Sequence, residues 1–331
     1  MNIIDMHCDT LSALLEYKRK GHSSELRKQD TQIDLEKMKK SGYMLQNFAV
    51  FVDMSATDNP LEEALRTIAL YYEQMEKNAD IISPVRSFSE ITKNNSAGKM
   101  SALLTLEEGG ICKGEPDFLS IMHQLGVRMM TLTWNYENEL GFPNMKKSRK
   151  TSPDESHTYS ITYDKGLKEQ GILFLEEMER LGIIIDVSHL SDAGFYDVIK
   201  YTKKPFVASH SNARSVCSAV RNLTDNMIRS LSNRGGITGI NFCKDFLGTP
   251  DFGKDYIYQA VRQMKYLVKV GGEDFVGLGS DFDGIDPYSD FKDCTVMPRL
   301  ADCMKKEGFS HTQIEKIFFK NVLRVYRELL P

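Results

Sequence analysis

The chain has 331 residues, 41% of them hydrophobic and 27% charged, with a formal net charge of -4 and no basic block. That length can bury a large core, while the charge balance lacks the electrostatic footprint that binding to nucleic acid or an anionic membrane needs. No window approaches a membrane-spanning length, and the N-terminus shows no secretion-signal pattern, so a cytoplasmic protein with small-molecule partners is expected. Six cysteines without a CxxC pair read as reduced thiols, which argues against structural zinc of the thiolate type.

Eight short apolar runs, each closing on polar or glycine residues, read as strands. In chain order they are NIIDMH (2–7), LQNFAVFVD (45–53), SALLTLEE (101–108), RMMTLTWN (128–135), IIIDVSH (183–189), PFVASH (205–210), ITGINF (237–242) and FVGLGSD (275–281). Helical periodicity between them predicts helices over Leu61–Lys77, Lys165–Leu181, Asp192–Tyr201 and Asp255–Val270, and a closing helix over Thr312–Leu330. Strand and helix alternating eight times predict an α/β fold, a (β/α)8 TIM barrel; a doubly wound sheet would more usually carry a glycine fingerprint, and neither GxGxxG nor GxxxxGK[ST] occurs. No repeat or linker divides the chain, so residues 1–331 are expected to form a single domain. The polar stretch 136–162 reads as a long loop after the fourth strand, near any active site.

Metal-binding residue types fall at the ends of these runs: His7 and Asp9 at the first, Glu107 and Glu108 at the third, His189 at the fifth, His210 at the sixth and Asp281 at the eighth. In a parallel barrel those ends share one rim, so the residues are expected to converge there. His7 and Asp9, two apart in an extended segment, point the same way. Singly each has an ordinary reading, such as a capped loop histidine, an exposed turn glutamate, or an Asx turn at Asp281 and Asp283. His22, His123, His157 and His311 keep that ordinary reading. Jointly, imidazoles and carboxylates without thiolate are the ligand chemistry of a catalytic site for zinc, manganese or iron. His7, Asp9, one of the two glutamates, His189 and His210 are too many ligands for one open tetrahedral site. They suit two ions sharing a carboxylate and a hydroxide, with Asp281 helping to balance the charge.

The segments IDMHCDT, LEEGG, IIDVSHLS, ASHSNARSVC, VRNLTDN and GLGSDFDG, in that order along nearly the whole chain, resemble the membrane (renal) dipeptidases, zinc peptidases of the amidohydrolase type. The resemblance implies a (β/α)8 barrel, a homodimer, and two zinc ions per chain. His7 and Asp9 would ligate the first ion and His189 and His210 the second, with Glu108, directly before the glycine pair, and a hydroxide bridging them. It also implies Asp281 as the proton-transfer carboxylate and Arg221 as the residue holding the substrate's free carboxylate. One departure stands out: where the family has LTHT, this chain has LTWN, placing Trp134 and Asn135 beside the substrate. Neither the signal peptide, lipid-anchoring tail nor disulfides of the secreted relatives are visible.

The expected reaction is hydrolysis of a dipeptide by a metal-bridging hydroxide. Asp281 carries the proton to the leaving amine, and Arg221 grips the C-terminal carboxylate. An ordinary reading for Arg221 is a salt bridge to Asp225 at helical spacing. Two other functions fit the same residues: a related metal hydrolase acting on N-acyl amino acids, lactams or lactones, and a metal-binding pseudoenzyme, for which Trp134 is the argument. Side-chain preference, L or D configuration and metal identity are not written in the sequence.

Overall fold

Strands β1 (Ile3–Asp5), β2 (Tyr43–Phe51), β3 (Ile82–Val85), β4 (Met100–Glu107), β5 (Val127–Thr131), β6 (Met145–Lys147), β7 (Tyr159–Ile161), β8 (Ile184–Asp186), β9 (Val207–Ala208), β10 (Ile237–Ile240) and β11 (Val276–Leu278) follow one another in the computed structural model. The structure describes residues 1–148 and 159–331; His157 lies outside the described residues.

Eight of the strands pair in parallel in the cyclic order β1, β2, β4, β5, β8, β9, β10, β11 and back to β1, which closes the expected barrel. Each contains the core of one apolar run. Three strands were not anticipated: β6 and β7, which pair antiparallel within the stretch read as a long loop, and β3, which pairs with the first half of β4 along the edge that β5 takes over from Leu104. Its sequence, ISPV, is short and carries a proline, which masks a strand signal. The helices fall near their predicted bounds, at Pro60–Lys77, Glu169–Leu181, Asp192–Tyr201 and Tyr256–Gly271. The second starts four residues later than periodicity suggests. Before it, the backbone N–H of Leu167 donates to Asp197 and that of Lys168 to Leu140 O, tying this segment to its neighbours.

Alternation along the strands separates two apolar layers. Leu104 and Leu106 of β4 belong to the outer layer, between barrel and helices. Leu103 packs inward with Ile4, Leu45, Met129, Ile184, Val207 and Ile237, and Val322, Val325, Tyr326 and Leu329 of the closing helix plug that interior. The opposite rim, at the C-terminal ends of the strands, is therefore left to polar chemistry.

Candidate metal centre

At that rim the chain turns out of strand geometry at the residues of interest. Glu108, His189, Asp281 and Asp283 all have positive φ, a conformation uncommon outside glycine. His7 and Asp9 lie just past β1, with Cys8 between them bonding the other way, to Asn47 O. The expected same-side projection follows: His7 Nε2 is 3.3 Å from Asp9 Oδ2.

The structure brings His7, Asp9, His189, His210 and Asp281 together, and it corrects the glutamate. Glu107, not Glu108, faces the histidines. Its Oε2 is 3.4 Å from His7 Nε2, while its Oε1 is 3.3 Å from His189 Nε2 and 3.7 Å from His210 Nε2. Glu108 leaves the sheet at φ 92 and turns its carboxylate the other way. There it accepts from Gly110 N–H at 2.7 Å, Trp134 N–H at 3.0 Å and the Asn138 amide at 2.5 Å. Strand parity carried this signal: Leu103, Thr105 and Glu107 share the inward face, and Glu108 belongs with Leu104 and Leu106.

Three overlapping groups, His7–Asp9–Glu107, Glu107–His189–His210 and His7–His210–Asp281, each have ligand atoms within 4.8 Å of one another. The donor set fits metal ions on two further grounds. Asp9 Oδ1 is buried without a hydrogen-bond partner. His189 and His210 have their Nδ1 atoms engaged by Asn135 Oδ1 at 3.0 Å and Ser209 Oγ at 2.7 Å, which leaves their Nε2 atoms 3.1 Å apart and turned toward Glu107. Two imidazole nitrogens and a carboxylate oxygen in that relation repel unless a proton or a cation lies among them.

Burial raises the carboxyls of Glu107 to about 7 and of Asp281 to about 6. Burial, then the charges of Arg221 and His7, holds His189 well below the usual imidazole range, and His210 is lowered in the same way. Burial alone would lower His7, but Glu107 and Asp9 hold it well above its ordinary value. Neutral His189 and His210 are the form that ligates metal.

A cavity of about 400 Å³ opens over this centre, lined by Asp9, Glu107, Trp134, His189, Phe246 and Asp281 among others. Trp134 stands on its wall, edge-on to Phe51 with ring centroids 4.8 Å apart. Behind it Lys147 Nζ sits 5.1 Å from the indole centroid and 2.9 Å from Asp53. Asn135, expected beside the substrate, meets the His189 ring through its Oδ1. The long loop around it is tied to the centre: Asn144 N–H donates to His189 O, Lys147 N–H to Asn135 O, and Ser191 N–H to Phe142 O.

Arg221 is buried, at 2% exposure, beside the cavity residue Phe246, with its guanidinium carbon 5.3 Å from that ring. It donates to Ser211 Oγ and His210 O, and its Nε has no partner. Asp225 does not pair with it, contacting Ser215, Tyr266 and Arg229 instead. Among the described residues Arg221 has no carboxylate partner within ion-pair distance.

Several buried polar residues that the sequence reading passed over hold the centre from beneath. Asn241 donates to Asp281 Oδ2 at 2.9 Å. Asp5 accepts from the backbone N–H groups of His7 and Ser280 and from Ser280 Oγ–H. Asp186 does the equivalent work between β8 and β9. For Asp5 and Asp186 the signal was a carboxylate two residues before His7 and three before His189, in IIDMH and IIDVSH.

The family model for membrane dipeptidases, peptidase family M19, matches residues 1–330. A Klebsiella pneumoniae relative, named only as an uncharacterized protein in the pqqA 5' region, is 30% identical over 278 residues, 83% of this chain and 99% of its own. The crystal structure of the dipeptidase AC, a metallo peptidase of family M19, is similar with a TM-score of 0.86 and 27% identity, covering 100% of this chain and 99% of that one. A metallo peptidase from Rhodobacter sphaeroides, liganded with a phosphinate mimic of the dipeptide L-Ala-D-Ala, gives 0.85 and 26% with 99% of both chains covered. This chain belongs to the membrane dipeptidase family, peptidase family M19, a family of metal-dependent peptide-bond hydrolases.

Proposed function

We propose that the protein is a binuclear metal dipeptidase acting on dipeptides with a free C-terminal carboxylate, and working as a homodimer. The observation that carries this reading is Glu107, whose two oxygens face two different sets of ligands: His7 and Asp9 on one side, His189 and His210 on the other. Two divalent cations held there, zinc by the sequence resemblance, would supply a hydroxide at neutral pH and polarise the scissile carbonyl.

The chain's own groups do the rest. Asp281 Oδ2 is held by Asn241, and its Oδ1 lies 3.7 Å from His7 Nε2. That orientation, with burial raising its carboxyl to about 6, suits it to take a proton at the centre and return it to the leaving amine. Arg221, a buried cation with an unpartnered Nε, is what a substrate carboxylate would answer, and its fork fixes the peptide in one orientation. Trp134 and Phe51 supply an apolar wall for a substrate side chain. The ligand of the Rhodobacter sphaeroides relative supports including a C-terminal D-residue in the substrate range.

Elemental analysis tests the centre, with about two metal equivalents per chain expected. Arg221→Ala should keep them and lose most dipeptide activity, on the order of 2 to 5 kcal/mol of transition-state binding. Equal turnover of L-Ala-D-Ala and its C-terminal amide by the unaltered enzyme would refute the carboxylate grip. Turnover confined to N-acyl amino acids, lactams or lactones would replace the dipeptide reading. Light scattering at the monomer mass would remove the homodimer from the proposal.

A further inference from the structure

His189 and His210 face the same side of Glu107, yet their rings are held by different chemistry. His189 Nδ1 meets a neutral amide oxygen, Asn135 Oδ1. His210 Nδ1 meets Ser209 Oγ at 2.7 Å, and Ser209 Oγ is in turn 2.5 Å from Asp186 Oδ2. All three residues are buried, with Asp186 and His210 at 1% and Ser209 at 0% exposure.

Counting hydrogens fixes the direction of this chain of contacts. Asp186 Oδ1 accepts from the backbone N–H groups of Ser188 at 3.0 Å and Ser209 at 2.8 Å; Oδ2 accepts from Thr131 Oγ1–H at 2.8 Å. Asp186 thus gathers two backbone donors on Oδ1 and a hydroxyl donor on Oδ2, and the Ser209 hydroxyl, 2.5 Å from Oδ2, donates to it as a fourth. The single Ser209 hydroxyl hydrogen is thereby spent on Asp186. Ser188 Oγ is a second neighbour of this hydroxyl but a more distant one, at 3.3 Å against 2.5 Å to Asp186; with the hydrogen on the shorter contact, Ser209 Oγ accepts from His210, so His210 carries its proton on Nδ1 and turns the Nε2 lone pair toward Glu107.

Backbone packing holds the relay in register. An added Cβ at Gly239 or Gly279 would come within 2.0 Å or 1.8 Å of Ser209 O, so β10 and the residue just past β11 press directly on the segment that carries the hydroxyl.

We propose that Asp186 and Ser209 are positioning residues that lock His210 in the Nδ1–H tautomer through a hydrogen-bonded relay, and so tune the affinity of one of the two metal positions. The relay's effect on metal rests on the binuclear reading; the tautomer does not. An acceptor held behind the imidazole fixes its tautomer and raises its basicity, which strengthens its hold on a cation. The position formed by Glu107, His189 and His210 therefore depends on the relay, whereas the one formed by His7, Asp9 and Glu107 does not.

The test uses the full-length chain with 15N-labelled histidine, stripped of metal and then titrated with Zn2+. The His210 ring nitrogens should report the Nδ1–H tautomer in the unaltered protein. In Ser209→Ala that preference should be lost, and one of two Zn2+ equivalents should bind about ten- to a hundredfold more weakly. Ser209→Thr, which keeps the hydroxyl, should restore both. An Nε2–H tautomer in the unaltered protein overturns the relay, and it does so even if Ser209→Ala does not fold. Unchanged Zn2+ affinity in a folded Ser209→Ala overturns the tuning. A chain whose His210 is Nδ1–H but which binds no Zn2+ leaves the tautomer lock standing and removes the binuclear reading.

Discussion

Glu107 and Glu108 have the same chemistry and adjacent positions, and the backbone gives them opposite tasks. Glu107, the last residue of β4, keeps strand parity and points into the rim; Glu108, at φ 92, points away and gathers three donors. Glu107→Gln should weaken metal binding at least about a hundredfold. Glu108→Gln offers one acceptor oxygen to those three donors, so it should keep metal and lose about 1 to 3 kcal/mol of stability. Metal analysis beside urea melts separates the two, and loss of metal from Glu108→Gln with stability intact would reverse the assignment. For Asp281→Asn the expectation is retained metal with kcat down by about 10²- to 10⁴-fold, read in a steady-state assay of a dipeptide. His7, Asp9, His189, His210 and Asp281 were legible because few residue types ligate metal and all sat at run ends. The glutamate was misassigned because the motif position was followed in place of strand parity, which puts Glu107 on the inward face with Leu103 and Thr105.

At the scale of elements, the apolar runs located all eight barrel strands but overran their ends. IIIDVSH reads as a strand to residue 189, whereas β8 stops at Asp186 and His189 has φ 68. The candidate ligands sit where the strands have already been abandoned. What stitches neighbouring ends together there is a buried carboxylate: Asp5 between β1 and β11, Asp186 between β8 and β9. Such contacts join residues up to 275 positions apart, which periodicity along one segment cannot anticipate. The close backbone approach at this rim gives a direct test. In Gly279→Ala the new Cβ would meet Ser209 O at 1.8 Å and His210 Cα at 3.1 Å. The carbonyl cannot swing aside as a flexible side chain would, so the variant should lose about 3 kcal/mol or more. A urea midpoint within error of the unaltered protein would show that β9 yields freely.

The molecule as a whole concentrates buried acid at one mouth, and its stability without metal should register that. Burial holds Glu107 and Glu108 at about 7 and Asp281 at about 6. A carboxyl raised in the folded state contributes stability at low pH that is lost as pH rises through its folded value. His7, also raised, has the same sign. His189 and His210 are lowered and act oppositely, but only up to the ordinary imidazole value of 6.5. Metal-free protein should therefore lose about 1 to 2 kcal/mol between pH ~6.5 and ~8. Added Zn2+ should stabilise most at the upper end, where carboxylates are charged and unanswered. Calorimetry checks this, and a metal-free Tm that climbs across that window would contradict it. Among the described residues no helix is long and apolar enough to cross a membrane, and the six cysteines are free.

The excursion between β5 and β8 carries Trp134 on the cavity wall with Lys147 behind it, and the same excursion grips His189 through Asn135 and Asn144. On the proposed function, selectivity and cation retention would be mechanically linked in this chain. Grafting that segment from a relative to broaden the diet of the enzyme would loosen an imidazole at its heart, so changes in taste should arrive together with changes in metal appetite.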